Sequence, residues 1–191
     1  LARTLDFAGP RATQNSTDTY QVLAGVEGDL FSTDWRYEAY YSHGETSLLT
    51  EMTGFPGLQN YRTVVTAPNF GTNLNKSVGP PLFFELKCTT GLPIMTYFDP
   101  SQDCVDAISG NMKHLTEITQ DIAEVNVTGD LFELPAGTVG SAWGASWREN
   151  FYRWRPDDQL VRSSTNYPIG LFPTSRTQGR TSVSELYGEL L

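Results

Sequence analysis

Along much of this chain, apolar side chains recur at every second position rather than at helical spacing. From Tyr20, the set Tyr20, Val22, Ala24, Val26 and Gly28 is apolar or small, against Thr19, Gln21, Leu23, Gly25, Glu27 and Asp29. Trp35, Tyr37, Ala39 and Tyr41 repeat the pattern against Arg36, Glu38, Tyr40 and Ser42. Ala123, Val125, Val127, Gly129 and Leu131 oppose Glu124, Asn126, Thr128 and Asp130. Val139, Ser141, Trp143, Ala145 and Trp147 oppose Thr138, Gly140, Ala142, Gly144, Ser146 and Arg148, and Leu186, Gly188 and Leu190 alternate with Glu185, Tyr187 and Glu189. Successive side chains of a strand point to opposite faces, so a period of two predicts strands with one apolar and one polar face. The expected strands are 1–8, 19–29, 34–45, 119–132, 137–153 and 181–191. The best helical candidate, Asn111–Glu124, holds Thr116, Ile118, Thr119 and Ile122, whose branching favours extended structure at least as well.

The connections are of two kinds. Leu30–Thr33 and Glu133–Ala136 are short, whereas Thr46 to about Gln120 and Pro156–Arg180 are long and rich in turn residues. If the chain runs up and down, the short turns fall on one rim and the long loops on the other, including the shorter Gly9–Asp18 connection. Loops of that length are uncommon in compact domains and are usually functional or disordered. The tetrapeptide Gly28-Asp29-Leu30-Phe31 recurs as Gly129-Asp130-Leu131-Phe132, expected each time at a strand end entering a short turn.

Charge narrows the partners. With 22 acidic against 13 basic residues and a net charge of −9 over 191 residues, the chain lacks the basic face a nucleic-acid binder needs. No apolar run approaches the length of a membrane-spanning helix, but spanning β-strands carry a much weaker signal. The opening Leu1-Ala2-Arg3-Thr4 and a strand-like close at Leu191 are expected of an interior piece of a larger protein.

Catalytic constellations are thin. Gly144-Ala145-Ser146-Trp147-Arg148 departs from a nucleophile elbow at its last position, and neither a dinucleotide fingerprint nor a phosphate loop occurs. An enzyme is not expected, and no cofactor. Carboxylate pairs such as Asp157-Asp158 read as solvated loop residues, and the sequons at Asn15, Asn75 and Asn126 as chance, since Asn126 sits mid-strand. Cys88 and Cys104 enclose turn-rich polar sequence and are expected to form a disulfide rather than remain two free thiols; the bond would stabilise the loop by about 3 kcal/mol and imply an oxidising compartment. Zinc spacing is absent, with His43 and His114 far from any ligand pattern. Arg148, Tyr152, Arg153, Trp154 and Arg155 lie at the long-loop end of their strand. Mixed aromatics and arginines there suit a sugar, carboxylate or anionic chelate, or else form an aromatic girdle with interfacial arginines.

Two architectures use this alternation. In a soluble β-sandwich, a secreted carbohydrate-binding module or jelly-roll hydrolase, Trp143 and Trp147 fill a core. In an outer-membrane barrel they face lipid, and the polar set lines the lumen. Small residues in the apolar sets (Ala24, Gly28, Ala39, Gly129, Ala145, Gly188) suit a lipid-facing surface better than a close-packed core. A core that packs the apolar faces against a second sheet decides for the sandwich; one continuous outward band decides for the barrel.

The chain also resembles a stretch from the β-barrel of TonB-dependent outer-membrane receptors of Gram-negative bacteria. The resemblance is carried by Phe7-Ala8-Gly9-Pro10-Arg11, the segments Asp18–Leu30 and Asp34–Ser42, the paired-cysteine loop with Gly91-Leu92-Pro93-Ile94, and the segments Ala123–Gly137 and Glu185–Leu190. It covers nearly the whole chain, and the order of these pieces is more specific than any one of them. It implies an all-β antiparallel up-and-down meander: a partial transmembrane β-barrel, part of a plugged barrel of about 22 strands, with long loops on one rim. Residues 1–191 would then be an interior fragment without its plug domain. The implied role is TonB-dependent uptake of a scarce nutrient (a metal chelate, cobalamin or oligosaccharide) across the outer membrane. The implied partners are outer-membrane lipid, the small-molecule or oligosaccharide ligand, and the TonB energy-coupling protein acting through a plug outside this chain.

Overall fold

The structure, a computed structural model, describes residues 5–30, 34–78 and 84–190. Among the described residues, strands hold 65% and helices 12%, against roughly 20–25% strand in an average globular chain. The class is all-β, as the alternation requires. The strands are β1 (Ala12–Asp29), β2 (Arg36–Pro56), β3 (Thr72–Val78), β4 (Phe84–Thr90), β5 (Ser109–Leu134), β6 (Gly137–Arg155) and β7 (Thr177–Leu190). Two short helices, α1 (Leu58–Val65) and α2 (Gln102–Ile108), and two 3-10 turns, Asp6–Ala8 and Pro68–Gly71, complete the fold.

Five strands form one open sheet in the order β1-β2-β5-β6-β7, and β3 and β4 form a separate antiparallel hairpin. Each strand of the large sheet neighbours the next one in the chain, which is an up-and-down meander. The register of β6 on β7 is antiparallel and unbroken from Ser141 opposite Leu190 to Trp154 opposite Thr177. Side-chain pairs fix the other directions. Gln21 reaches Ser42 while Thr19 reaches Thr46, Tyr40 meets Glu124 while His43 meets Asp121, and Gln120 meets Asn150 while the Ser141 hydroxyl meets the Gly129 carbonyl.

The strands outrun the alternation that announced them. Residues 46–56 extend β2, and 109–118 begin β5, so the long connection shrinks to 57–108 and is itself folded. Likewise β1 starts at Ala12 and β7 at Thr177. The period of two fades there because the two faces of those strand extensions no longer differ in polarity. Asn111–Glu124 is entirely strand, as its β-branched residues favour. Two expectations fail. Residues 6–8 are a 3-10 turn rather than strand, with Asp6 accepting from the Phe7 N–H, and residues 1–4 of that expected strand lie outside the described ones. The Gly129–Phe132 echo ends two residues short of the end of β5, which runs on to Leu134 and turns at Pro135-Ala136.

The chain divides into two compact units. Unit 1 is residues 1–16, 49–115 and 155–176; unit 2 is 17–48, 116–154 and 177–191. Unit 1 has a core. Val64, Cys88, Leu92, Cys104 and Ile108 form one buried cluster, backed by Phe7, Tyr61, Val65, Leu74 and Phe98. Phe55, Met112 and Leu160 form a second. The 156–176 connection is stitched to the start of the other: the Leu58 N–H donates to the Tyr167 carbonyl at 2.6 Å, and the Ile169 N–H to that of Pro56 at 2.7 Å. Gly71 has φ +82°, and a side chain there would collide with Val64, so the turn into β3 requires glycine.

Unit 2 has no such core. Among the described residues every buried hydrophobic side chain belongs to unit 1, and the buried residues of unit 2 are Ser42 and Ser141. No second large sheet covers the five-stranded one among the described residues, which removes the packing that a sandwich needs.

Candidate functional site

The apolar sets of unit 2 lie side by side on one face of the sheet. A shallow hollow is lined by Ala24, Val26, Ala39, Tyr41, Ala123, Val125, Ala145 and Trp147 together with the intervening Gly25, Tyr40, Glu124 and Ser146, and a second continues it through Val127, Trp143, Leu186 and Gly188. Apart from those four intervening residues, these are the alternate positions singled out by the sequence, brought together across five strands. They are uncovered: Val22 is 62% exposed, Val125 40% and Trp143 51%. On this face no charged residue interrupts β1 from Tyr20 to Gly28, β5 from Ala123 to Leu131, or β6 from Val139 to Trp147. Nine residues of β5 are about the length a tilted strand needs to cross a bilayer.

Polar groups mark the end of this band on the long-connection side. The Tyr20 hydroxyl donates to Glu45 at 2.8 Å, His43 Nδ1 lies 2.7 Å from Asp121, which also accepts from the Tyr41 hydroxyl, and Trp147 Nε1 donates to Ser182 at 2.9 Å. Beyond them Arg153 pairs with Glu117 at 3.5 Å and Arg180 with Glu149 at 3.3 Å, both guanidiniums lying over the Phe151 ring. Tyr41 and Trp147 line the apolar hollow with their rings while their polar atoms bond to Asp121 and Ser182, as amphipathic rings do at an apolar–aqueous boundary.

Small residues in the band are roofed by rings from the next strand. Trp35 fills the space a side chain at Gly129 would take, Tyr37 that at Gly28, and Trp143 that at Gly188. On the opposite face Tyr187 does the same over Gly144. Ring and glycine at facing register positions were the signal that sequence reasoning missed.

The other face is polar and acidic. Tyr40 donates to Glu124 at 2.7 Å, Asn126 to the same carboxylate at 2.9 Å, and the Tyr187 hydroxyl reaches both Glu124 and Asn126. Gln21 donates to Ser42, Ser146 to Glu185, and Arg36 pairs with Glu27. Unit 2 holds 14 of the 22 acidic residues but only 4 of the 13 basic ones: Arg36, Arg148, Arg153 and Arg180. Asn126, one of the sequon residues, is therefore part of a hydrogen-bonded network on this face.

The five ligand-facing candidates do not converge. Strand alternation puts Arg148, Tyr152 and Trp154 on the acidic face, opposite Val183, Gly179 and Thr177 of β7, while Arg153 and Arg155 share the face of the apolar band. A run of neighbours in sequence is split in two by the pleat.

Cys88 and Cys104 are bonded, and both are fully enclosed in the first cluster of unit 1. Beside them Ser101 and Thr89 hydroxyls donate to Asp103, holding its carboxyl below its ordinary value of 3.8. Among the described residues no cluster of His, Cys, Asp and Glu has the makings of a metal site. No family model, no curated protein and no solved structure matches this chain.

Proposed function

We propose that this chain is part of the β-barrel of an outer-membrane receptor in a Gram-negative bacterium, of the TonB-dependent kind, serving uptake of a scarce nutrient. The observation that carries the reading is the continuous apolar band, uncharged and uncovered, on one face of a single sheet whose other face is polar. That distribution is inside-out for a soluble protein and right for strands between lipid and an aqueous lumen. Three features add support. The strands, up to 26 residues in β5, exceed the usual 5–6 by far. Along the chain the strands of the meander are joined alternately by short turns and by long folded connections. Both edge strands, β1 and β7, continue the same alternation without the prolines or lysines that protect natural sheet edges, which supports further strands on either side.

In this reading the long connections, with the Cys88–Cys104 disulfide, face the cell exterior, where an oxidised pair persists. Arg153, held by Phe151 and Glu117 just past the band, takes the interfacial-arginine role; Arg148, Tyr152 and Trp154 keep the ligand-facing one. Energy coupling through TonB would act on a plug outside this chain. The test is tryptophan fluorescence of the protein in bilayers whose acyl chains carry bromine. Emission is expected to be quenched, with most of the quenchable signal lost in the double variant Trp143→Phe, Trp147→Phe. Emission indifferent to the brominated chains sinks the membrane reading.

A further inference from the structure

We propose that unit 1 carries a binding groove for an organic ammonium ion. A cavity of about 500 Å³ is lined by Asp6, Phe7, Tyr97, Phe98, Asp99 and Gln102, within the size range of small-molecule sites. Its floor is built. Phe7 and Phe98 meet edge to ring at 5.1 Å, and both rest on the cluster that encloses the disulfide. Its wall is open, since Tyr97, which lines it, is 93% exposed.

The chemistry selects the ligand class. Asp6 and Asp99 bring two negative charges to one cavity, and no described lysine or arginine lines it to offset them. An anionic ligand is repelled there. A divalent metal ion is poorly served, because its ligands are too few and the rings offer no donor atoms. A cationic amine gains from both components: carboxylates attract its charge, and aromatic faces bind ammonium through their quadrupole. Gln102, whose NH2 donates to Asp106, keeps an amide oxygen that can accept from a hydroxyl or N–H carried beside the cation. A neutral saccharide could stack on Tyr97 but would leave the two charges without a counterpart.

The groove lies wholly in unit 1, so its binding does not depend on the membrane reading; in a receptor it would be a surface that recognises a cationic nutrient. The experiment is calorimetric titration of the full chain in a nonionic polyoxyethylene detergent with choline, maltotriose and citrate in turn. Choline is expected to bind at one site, more weakly as salt rises. Asp99→Asn and Tyr97→Ala should each weaken it by about fivefold or more, with Tyr97→Phe close to the parent. Both side chains are exposed, so these variants keep the fold. Saturation by maltotriose or citrate instead of choline overturns the proposal. So does the absence of saturation by choline, or choline binding that ignores the substitutions. None of these outcomes bears on the brominated-lipid test, so the two readings fail separately.

Discussion

Unit 1 encloses Val64, Leu92, Ile108 and Met112 completely, whereas unit 2 leaves Val22, Val125, Trp143 and Leu186 between 40% and 87% exposed. The same chain thus treats apolar side chains in opposite ways within a few residues of each boundary. In unit 1 they point at one another, in an arrangement locked by a disulfide, and the polar groups go outward. In unit 2 the apolar groups go outward, and the enclosed atoms are the hydroxyls of Ser42 and Ser141. A protein in water gains about 25 cal/mol for each Å² of apolar surface it hides, so the second arrangement is stable only where something other than water meets that face. The difference teaches that the two units place their apolar side chains by opposite rules; in the proposed reading, one is built for water all round and the other for water on one side.

The comparison can be broken at its core. Leu92→Ala should destabilise unit 1 by about 2–5 kcal/mol, since the site is fully enclosed and cannot collapse. Calorimetry of the thermal transition checks this, and a loss below about 1 kcal/mol would mean that unit 1 has no rigid core. Replacing Cys88 with Ser should cost about 2–4 kcal/mol in the same measurement. Next comes the face of unit 2. Val125→Arg is expected to cost about 2–4 kcal/mol when the protein folds into a bilayer, against no more than about 0.5 kcal/mol if that face meets water. Denaturant titration in lipid vesicles distinguishes the two values. Gly129→Ala should cost about 1 kcal/mol by lifting the Trp35 ring off its seat, visible as a shift in tryptophan emission.

The smallest effect concerns pH. Burial holds the His114 imidazole below its ordinary 6.5, with Asp157 pulling partly the other way. The folded state therefore takes up the proton less readily than the unfolded one, so stability falls as pH drops below 6.5 towards the folded value. Thermal midpoints of unit 1 should decline across that window and flatten in His114→Gln. A slope unchanged by the substitution would place the titrating group elsewhere.

Much of unit 2 was legible in the sequence because its order is local. Tyr20 to Gly28 and Ala123 to Leu131 show their facing by parity alone, and the pleat does not depend on what lies across it. The candidate set at 148–155 was legible as chemistry but not as geometry. Its members are adjacent in sequence, and alternation sends Arg148, Tyr152 and Trp154 one way and Arg153 and Arg155 the other. The groove of unit 1 was not legible at all, because Phe7 and Phe98 are brought together from distant parts of the chain.

By itself the sequence determined the central stretches of the five long strands and their two faces, the acidic balance and the pairing that the two cysteines could make. Tertiary structure alone decided that the apolar faces line up into one band across five strands. It decided that residues 57–108 and 156–176 fold with their own core, and that rings from one strand cover glycines on the next. The physical reason is range. A period of two is a property of neighbouring bonds, whereas a core, a groove or a roofed glycine is a contact between segments whose distance along the chain says nothing about their distance in space.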